Sequence, residues 1–262
     1  MILLSFDIEE FDVPLEHGVE IPLQRQMEIS EQGTLRVLEL LAENDVKATF
    51  FCTAVFAINA PGIIVKIKEA GHEIASHGYY HSDFEVTHLD ASKKKLEEIA
   101  GVPVYGYRMA RMMPVDEKEI AKAGYLYNSS LNPTFIPGRY NNLHIPRTWF
   151  YRDGVLQLPA SVSPWFRFPL FWLSFHNLPA WMYRYLAGWT LKKDGYLNIY
   201  FHPWEFADIK ACAAAYKLPG IMVRNSGLQM TARTDAFIKY LKARGETFGT
   251  IRDFIALKIK SD

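Results

Sequence analysis

The chain has 262 residues, 49% of them hydrophobic, with 29 Lys and Arg set against 29 Asp and Glu. Such a length buries a substantial core as one large α/β domain or two small ones, and the balanced charge leaves no electrostatic footprint for nucleic acid. The two cysteines, Cys52 and Cys212, make no disulfide framework, and no run is long and apolar enough to span a bilayer.

Met1 leads straight into Ile2-Leu3-Leu4-Ser5-Phe6, a buried strand with no charged leader before it, so the cytoplasm is the expected location. Thr34 to Ala42 reads as a helix with Leu35, Leu38 and Leu41 on one face, and Lys47 to Thr53 as the next strand, in which Cys52 is a buried thiol. Pro61 opens a helix to Ala70 that Gly71 stops, after which Glu73 to Ser76 is a short strand. Asp90 or Ser92 caps a helix through Ile99; Val104 to Arg108 is a strand, Val115 to Ala123 a helix closed by Gly124, and Tyr125 to Tyr127 the strand after it. The alternation implies parallel strands with helices outside, an open sheet or a barrel.

From about Asn132 to Lys193 the rhythm breaks into a stretch rich in proline and aromatic residues, with Trp149, Trp165, Trp172, Trp181 and Trp189. No flexible linker brackets it, so residues 1–262 are expected to form a single domain carrying this stretch as an elaboration. Regularity returns with a strand from Tyr196 to Phe201, a helix from Thr231 to Ala243, the segment Glu246-Thr247-Phe248 and a last helix from Ile251.

Ionisable groups recur at the ends of these strands. Asp7 and Glu9 follow the first, His77 and His81 the third, Arg108 the next, and His202 ends Leu197 to Phe201. In parallel α/β folds such positions meet on one rim. Two imidazoles and a carboxylate are the usual ligands of a catalytic zinc-type site, and a second carboxylate beside them can act as a base. Taken separately each group has a plainer reading. Asp7, Glu9 and Glu10 would make a solvated acidic turn, His202 a satisfied core histidine, and His72, His88, His144 and His176 surface or hydrogen-bonded structural histidines.

The stretches Ser5-Phe6-Asp7-Ile8-Glu9-Glu10, Lys47-Ala48-Thr49-Phe50-Phe51, Gly71 to His81, Gly106-Tyr107-Arg108, Tyr127-Asn128-Ser129-Ser130 and Tyr200 to Glu205 occur in an order that resembles the polysaccharide deacetylase family (carbohydrate esterase family four, the NodB homology domain). More narrowly it resembles the branch whose first motif is Asp-x-Glu. That resemblance implies a distorted (β/α) barrel of about seven parallel strands with an aromatic-rich insertion. It also implies that Glu9, His77 and His81 bind one divalent metal, with zinc first and cobalt, nickel or manganese also compatible. Asp7 would be the general base, Arg108 its brace, and His202 the acid that protonates the departing amine. Tyr80, Trp204 and Arg167 are candidate substrate contacts, Arg167 through a Phe-Arg-x-x-Pro segment like that of the branch, and Glu205 a brace of the site.

Two departures stand out. The family usually has Ala-Pro-Ser after the arginine where this chain has Met109-Ala110-Arg111, which leaves open whether Arg108 or Arg111 faces the base. Asn128 stands where the family often has Asp. The expected function is removal of an N-acetyl group from an amino sugar of a polysaccharide or of its nucleotide- or lipid-linked precursor. The aromatic stretch Trp165 to Trp181 would stack on sugar or make peripheral membrane contact, unless it is simply packed on the domain. Hydrolysis of a cyclic amide such as allantoin or an imide, and a binding module that has lost turnover, are the alternatives. The oligomeric state is not legible.

Overall fold

The computed structural model describes residues 1–259. The chain runs β1 (Ile2–Ile8), α1 (Val13–Glu16), α2 (Leu23–Glu43), β2 (Thr49–Cys52), α3 (Ala54–Asn59), α4 (Pro61–Glu69), β3 (Glu73–Ser76), α5 (Thr87–Ala100), β4 (Gly106–Tyr107), α6 (Glu117–Lys122) and β5 (Tyr127–Asn128). It continues with β6 (Phe135–Ile136), β7 (Tyr140–Asn141), β8 (Phe150–Arg152), β9 (Val155–Gln157), α7 (Trp172–Asn177), α8 (Ala180–Asp194), β10 (Leu197–Phe201), α9 (Gly220–Val223), α10 (Leu228–Lys242) and α11 (Ile251–Ile259).

Eight of these strands form a mixed sheet in the order β10-β1-β2-β3-β4-β5-β9-β8, curled into a half-barrel. Every pairing from β10 to β9 is parallel, and only β8 runs antiparallel, against β9. The expected count of parallel strands thus stands at seven. The open side is stitched rather than laddered. Asn198 Nδ2 of β10 donates to Ser129 Oγ at 3.1 Å and to the carbonyls of Leu158 and Pro159 at 3.2 and 3.1 Å.

The two faces of β1 explain how a fully buried strand delivers a carboxylate. Side chains alternate along a strand. Ile2, Leu4, Phe6 and Ile8 pack outward with Val37 and Leu41 of α2 and Ile64 of α4. Leu3 packs inward with Phe51, Ala75, Tyr127 and Leu156, and Ser5 and Asp7 follow it at period two. The inner face is therefore apolar at its base and polar at the strands' carboxyl ends.

Several expected elements shift. The helix expected from Thr34 is the second half of α2, which starts eleven residues earlier, at Leu23. Gln26, Ser30 and Thr34 occupy the buried stripe between Met27, Ile29 and Val37, so apolar periodicity fades although burial does not. The helix expected from Asp90 or Ser92 starts at Thr87, α3 was not anticipated, and only Gly106–Tyr107 of the strand expected at Val104 to Arg108 is laddered. The next strand is Tyr127–Asn128 rather than Tyr125 to Tyr127, and Phe248 makes a single bridge to Ile2. The aromatic-rich stretch is more than an elaboration, because β8 and β9 extend the main sheet and α8 covers β10.

Candidate active site and metal centre

Glu9 stands just beyond β1, and α2 fixes its backbone: Ser30 Oγ donates to the Glu9 carbonyl at 2.6 Å. His77 leaves β3 at the same level, and Gly78 (φ +90°) turns the chain so that His81 comes back beside it. The Nε2 atoms of His77 and His81 lie 3.2 and 2.9 Å from Glu9 Oε2. All three side chains are buried, and their ligand atoms lie within 4.8 Å of one another, as in a group that could hold a metal ion.

The proton positions follow from the partners on the far side of each ring. His77 Nδ1 faces the Arg108 carbonyl at 2.9 Å and His81 Nδ1 faces Asp12 Oδ1 at 2.9 Å. Both partners only accept, so both histidines are protonated at Nδ1 and present an Nε2 lone pair toward Glu9. Glu9 Oε2 is buried and has no hydrogen-bond donor. Two nitrogen lone pairs and a carboxylate oxygen converge on one point, which is the donor set a divalent cation such as zinc accepts. The electrostatics agree. Burial alone would raise Glu9, yet His81, His202 and His77 hold its carboxyl well below the usual range. Burial would lower His81, but Glu9 and Asp12 raise it to about 10, so the Nε2 position beside Glu9 favours positive charge, and a proton and a metal cation compete for it.

Asp7 lies on β1 one pleat before Glu9 and is also buried. Arg108, fully buried, donates from Nη1 to Asp7 Oδ1 at 2.5 Å and to Ser5 Oγ at 3.0 Å. Its Nε and Nη2 reach the Ser129 carbonyl and Oγ at 3.0 and 2.9 Å, and its guanidinium lies 4.0 Å from the Phe51 ring centroid. One residue thus clamps Asp7 with its side chain and orients His77 with its carbonyl. Arg111 faces elsewhere: its Nη2 is 3.0 Å from Asp12 Oδ2 and its Nη1 2.5 Å from Glu16 Oε1. Of the two arginines, Arg108 is the one paired with Asp7. Asn128 donates to Gln157 Oε1 at 2.9 Å and accepts from Ser130, so it braces β5 against β9.

His202 follows β10. Gly33 of α2 abuts the turn behind it so closely that a Cβ there would meet the Pro203 carbonyl oxygen at 1.9 Å. Its ring stacks on Trp204 at 5.1 Å, and its Nδ1 is 3.0 Å from Glu205 Oε1. The other Glu205 oxygen lies 2.8 Å from His176 Nε2. Burial would lower His202, but Glu9, Glu205 and Asp7 raise it above the ordinary imidazole value. Trp204 Nε1 donates to Glu9 Oε1 at 3.3 Å.

Asp7, Glu9, His77, His81, His202 and Trp204 line one cleft of about 350 Å³, a volume suited to a small organic ligand. The acidic turn is therefore no solvated loop, with Glu10 and Asp12 buried beside Asp7 and Glu9. Two candidate substrate contacts sit elsewhere. Tyr80 is 41% exposed and packs on Tyr79 and His88, outside the cleft lining. Arg167 donates to the carbonyls of Ile145 and Pro133 at 2.6 and 3.4 Å, so its charge is spent on holding a loop. It lines a neighbouring apolar groove, which shares Phe171, Leu173, Ile136 and Ile221 with the cleft.

Asp12 escaped the sequence reading, and His176, read there as a surface or hydrogen-bonded structural histidine, is the hydrogen-bonded kind, with a link to the site through Glu205 that was not anticipated. The requirement that a ligating histidine donate its second N–H to an acceptor was the only signal for Asp12. His176 carries none, being 29 residues from its partner Glu205.

Residues 2–111 match the family model described as polysaccharide deacetylase. A peptidoglycan N-acetylmuramic acid deacetylase of Bacillus subtilis is 30% identical over 66 residues, 25% of this chain and 25% of that protein. The chain spans a quarter to a third of the length of the curated relatives it matches. Among solved structures, a Mycobacterium smegmatis protein assigned to the polysaccharide deacetylases superimposes with a TM-score of 0.60 at 22% identity, over 95% of this chain and 92% of the other. Puue allantoinase gives 0.62 at 16% identity, over 96% and 87%. At such identities these likenesses speak for the fold.

Proposed function

We propose that this chain, whose residues 2–111 match the polysaccharide deacetylase family model, is a metal-dependent hydrolase that removes the N-acetyl group from an amino sugar. The observation that carries the reading is the meeting, on one cleft, of three lone-pair donors, a clamped carboxylate and a histidine tied to a carboxylate.

Glu9, His77 and His81 would hold a divalent cation, with zinc the first choice, which would supply Lewis-acid polarisation of the amide carbonyl. Asp7 acts as general base. Arg108 occupies its Oδ1 and fixes its orientation, so Oδ2 takes the proton of the attacking water. His202 acts as general acid. With Nδ1 bonded to Glu205 Oε1, the proton for the leaving amine is held on Nε2, and the carboxylates around it favour the charged ring. Trp204 steadies the second oxygen of Glu9 and walls the cleft. Arg108 and Glu205 position the base and the acid.

The substrate class is an N-acetylated sugar, carried on a polysaccharide or on a nucleotide- or lipid-linked precursor. Trp165 and Phe166, 80% and 84% exposed, offer an apolar surface for peripheral membrane contact. No helix among the described residues is long and apolar enough to cross a membrane.

The test is acetate release from N-acetylglucosamine oligomers, measured beside ring opening of allantoin and a cyclic imide. Acetate release that falls about 10²–10⁴-fold in Asp7→Asn supports the reading. Ring opening without acetate release shifts the function to a cyclic amide hydrolase. Full turnover by Asp7→Asn removes the base assignment. Metal analysis of His77→Ala and His81→Ala should show the metal lost in each, and full occupancy in both would refute the ligand set.

A further inference from the structure

We infer that Arg111 is a positioning residue of the metal site, acting through Asp12 on the ring of His81; this rests on the metal-dependent reading above. Asp12 is buried and stands between the two, with Oδ1 2.9 Å from His81 Nδ1 and Oδ2 3.0 Å from Arg111 Nη2. A carboxylate accepts at both oxygens. The arginine therefore fixes Asp12 in rotation, Asp12 holds the His81 ring through Nδ1, and His81 Nε2 stays on the side of Glu9 Oε2, 2.9 Å away.

The backbone is bent to make this contact. Arg111 and Met112 lie consecutively in the left-handed region, at φ 57° and 52°, where side chains other than glycine are uncommon. Such outliers persist where the surroundings over-determine them. Here Ser130 Oγ accepts the Met109 N–H at 2.7 Å, and the turn directs Arg111 back to α1, where Nη1 meets Glu16 Oε1 at 2.5 Å. The Glu16 contact alone does not explain the turn. Glu16 has 42% of its side-chain surface exposed, against 5% for Asp12, so the Asp12 contact is the desolvated one, and a charge pair counts for more there.

The test measures zinc affinity by competition with a chromophoric chelator, and the absorption spectrum of cobalt in the site, for the full-length protein. The variants are Arg111→Gly, Arg111→Lys, Asp12→Asn and His77→Ala. Glycine suits φ 57° and removes the side chain without adding strain; lysine keeps a cation but not the fork. Arg111→Gly and Asp12→Asn should weaken zinc by about 10–100-fold and shift the cobalt spectrum, with Arg111→Lys intermediate and His77→Ala devoid of zinc. Wild-type zinc affinity and an unchanged cobalt spectrum in Arg111→Gly and Arg111→Lys, with zinc lost in His77→Ala, would overturn the inference and leave the metal site standing. Zinc retained in full by His77→Ala would overturn the metal-dependent reading and this inference together.

Discussion

At the scale of single residues, the candidate site is a set of buried charges each satisfied by one specific partner. Glu205 makes the point: its two oxygens serve His202 and His176, and its carboxyl is held low by both against the burial that would raise it. Replacing Glu205 by Gln keeps the shape but not the charge. The expected outcome is a lower kcat with a nearly unchanged KM, by a smaller factor than the roughly 10²–10⁴-fold loss expected for His202→Ala. Steady-state kinetics on an N-acetylated oligosaccharide would decide it, and an E205Q enzyme as fast as wild type would deny Glu205 its positioning role. The groups directly at the strand ends were legible in the sequence because each terminates an apolar run. Their supports were not. Asp12 meets His81 across 69 residues and Arg111 meets Asp12 across 99, and nothing local marks either pairing. Tyr80 and Arg167 show the reverse. A suggestive neighbourhood in sequence placed them in the site, but the ring packing of one and the carbonyl contacts of the other hold them outside the cleft.

At the scale of elements, α2 sets the position of one candidate metal ligand and of the candidate acid. Ser30 ties it to Glu9, and Gly33 lets it lie against the turn after His202. Gly33→Ala is therefore predicted to cost about 1–3 kcal/mol through overpacking. It should also lower kcat by displacing His202, which denaturant midpoints and turnover would show. Unchanged stability would mean that the approach of α2 to Pro203 is looser than described. Only the second half of this helix was readable. Its first half buries Gln26 and Ser30 where periodicity expects leucine, and both side chains are spent on backbone carbonyls. Burial of polar groups that are satisfied by hydrogen bonds leaves no hydrophobic signature.

At the scale of the whole molecule, the curled sheet gathers the ends of β1, β3, β4 and β10 on one rim, and the stretch that breaks the βα rhythm closes the far side. That stretch also leaves Trp165 and Phe166 exposed while Phe171 joins cleft and groove. Trp165→Ala with Phe166→Ala is expected to reduce co-sedimentation with phospholipid vesicles and to leave acetate release from soluble oligosaccharides unchanged. Binding to vesicles as strong as wild type would remove the proposed membrane contact. The double variant should melt within about 0.5 kcal/mol of wild type, as exposed substitutions usually do.

The order of motifs along the chain by itself carried the family resemblance, and its patterning the parallel α/β class and which residues end each strand, because a strand's alternation and an apolar run are local properties of sequence. Only the tertiary structure decided that Arg108 rather than Arg111 clamps Asp7, that Asp12 and His176 support the site, and that the aromatic stretch supplies two strands to the main sheet. Those are contacts between segments distant in the chain, and their geometry follows from how the sheet curls rather than from any spacing a sequence displays.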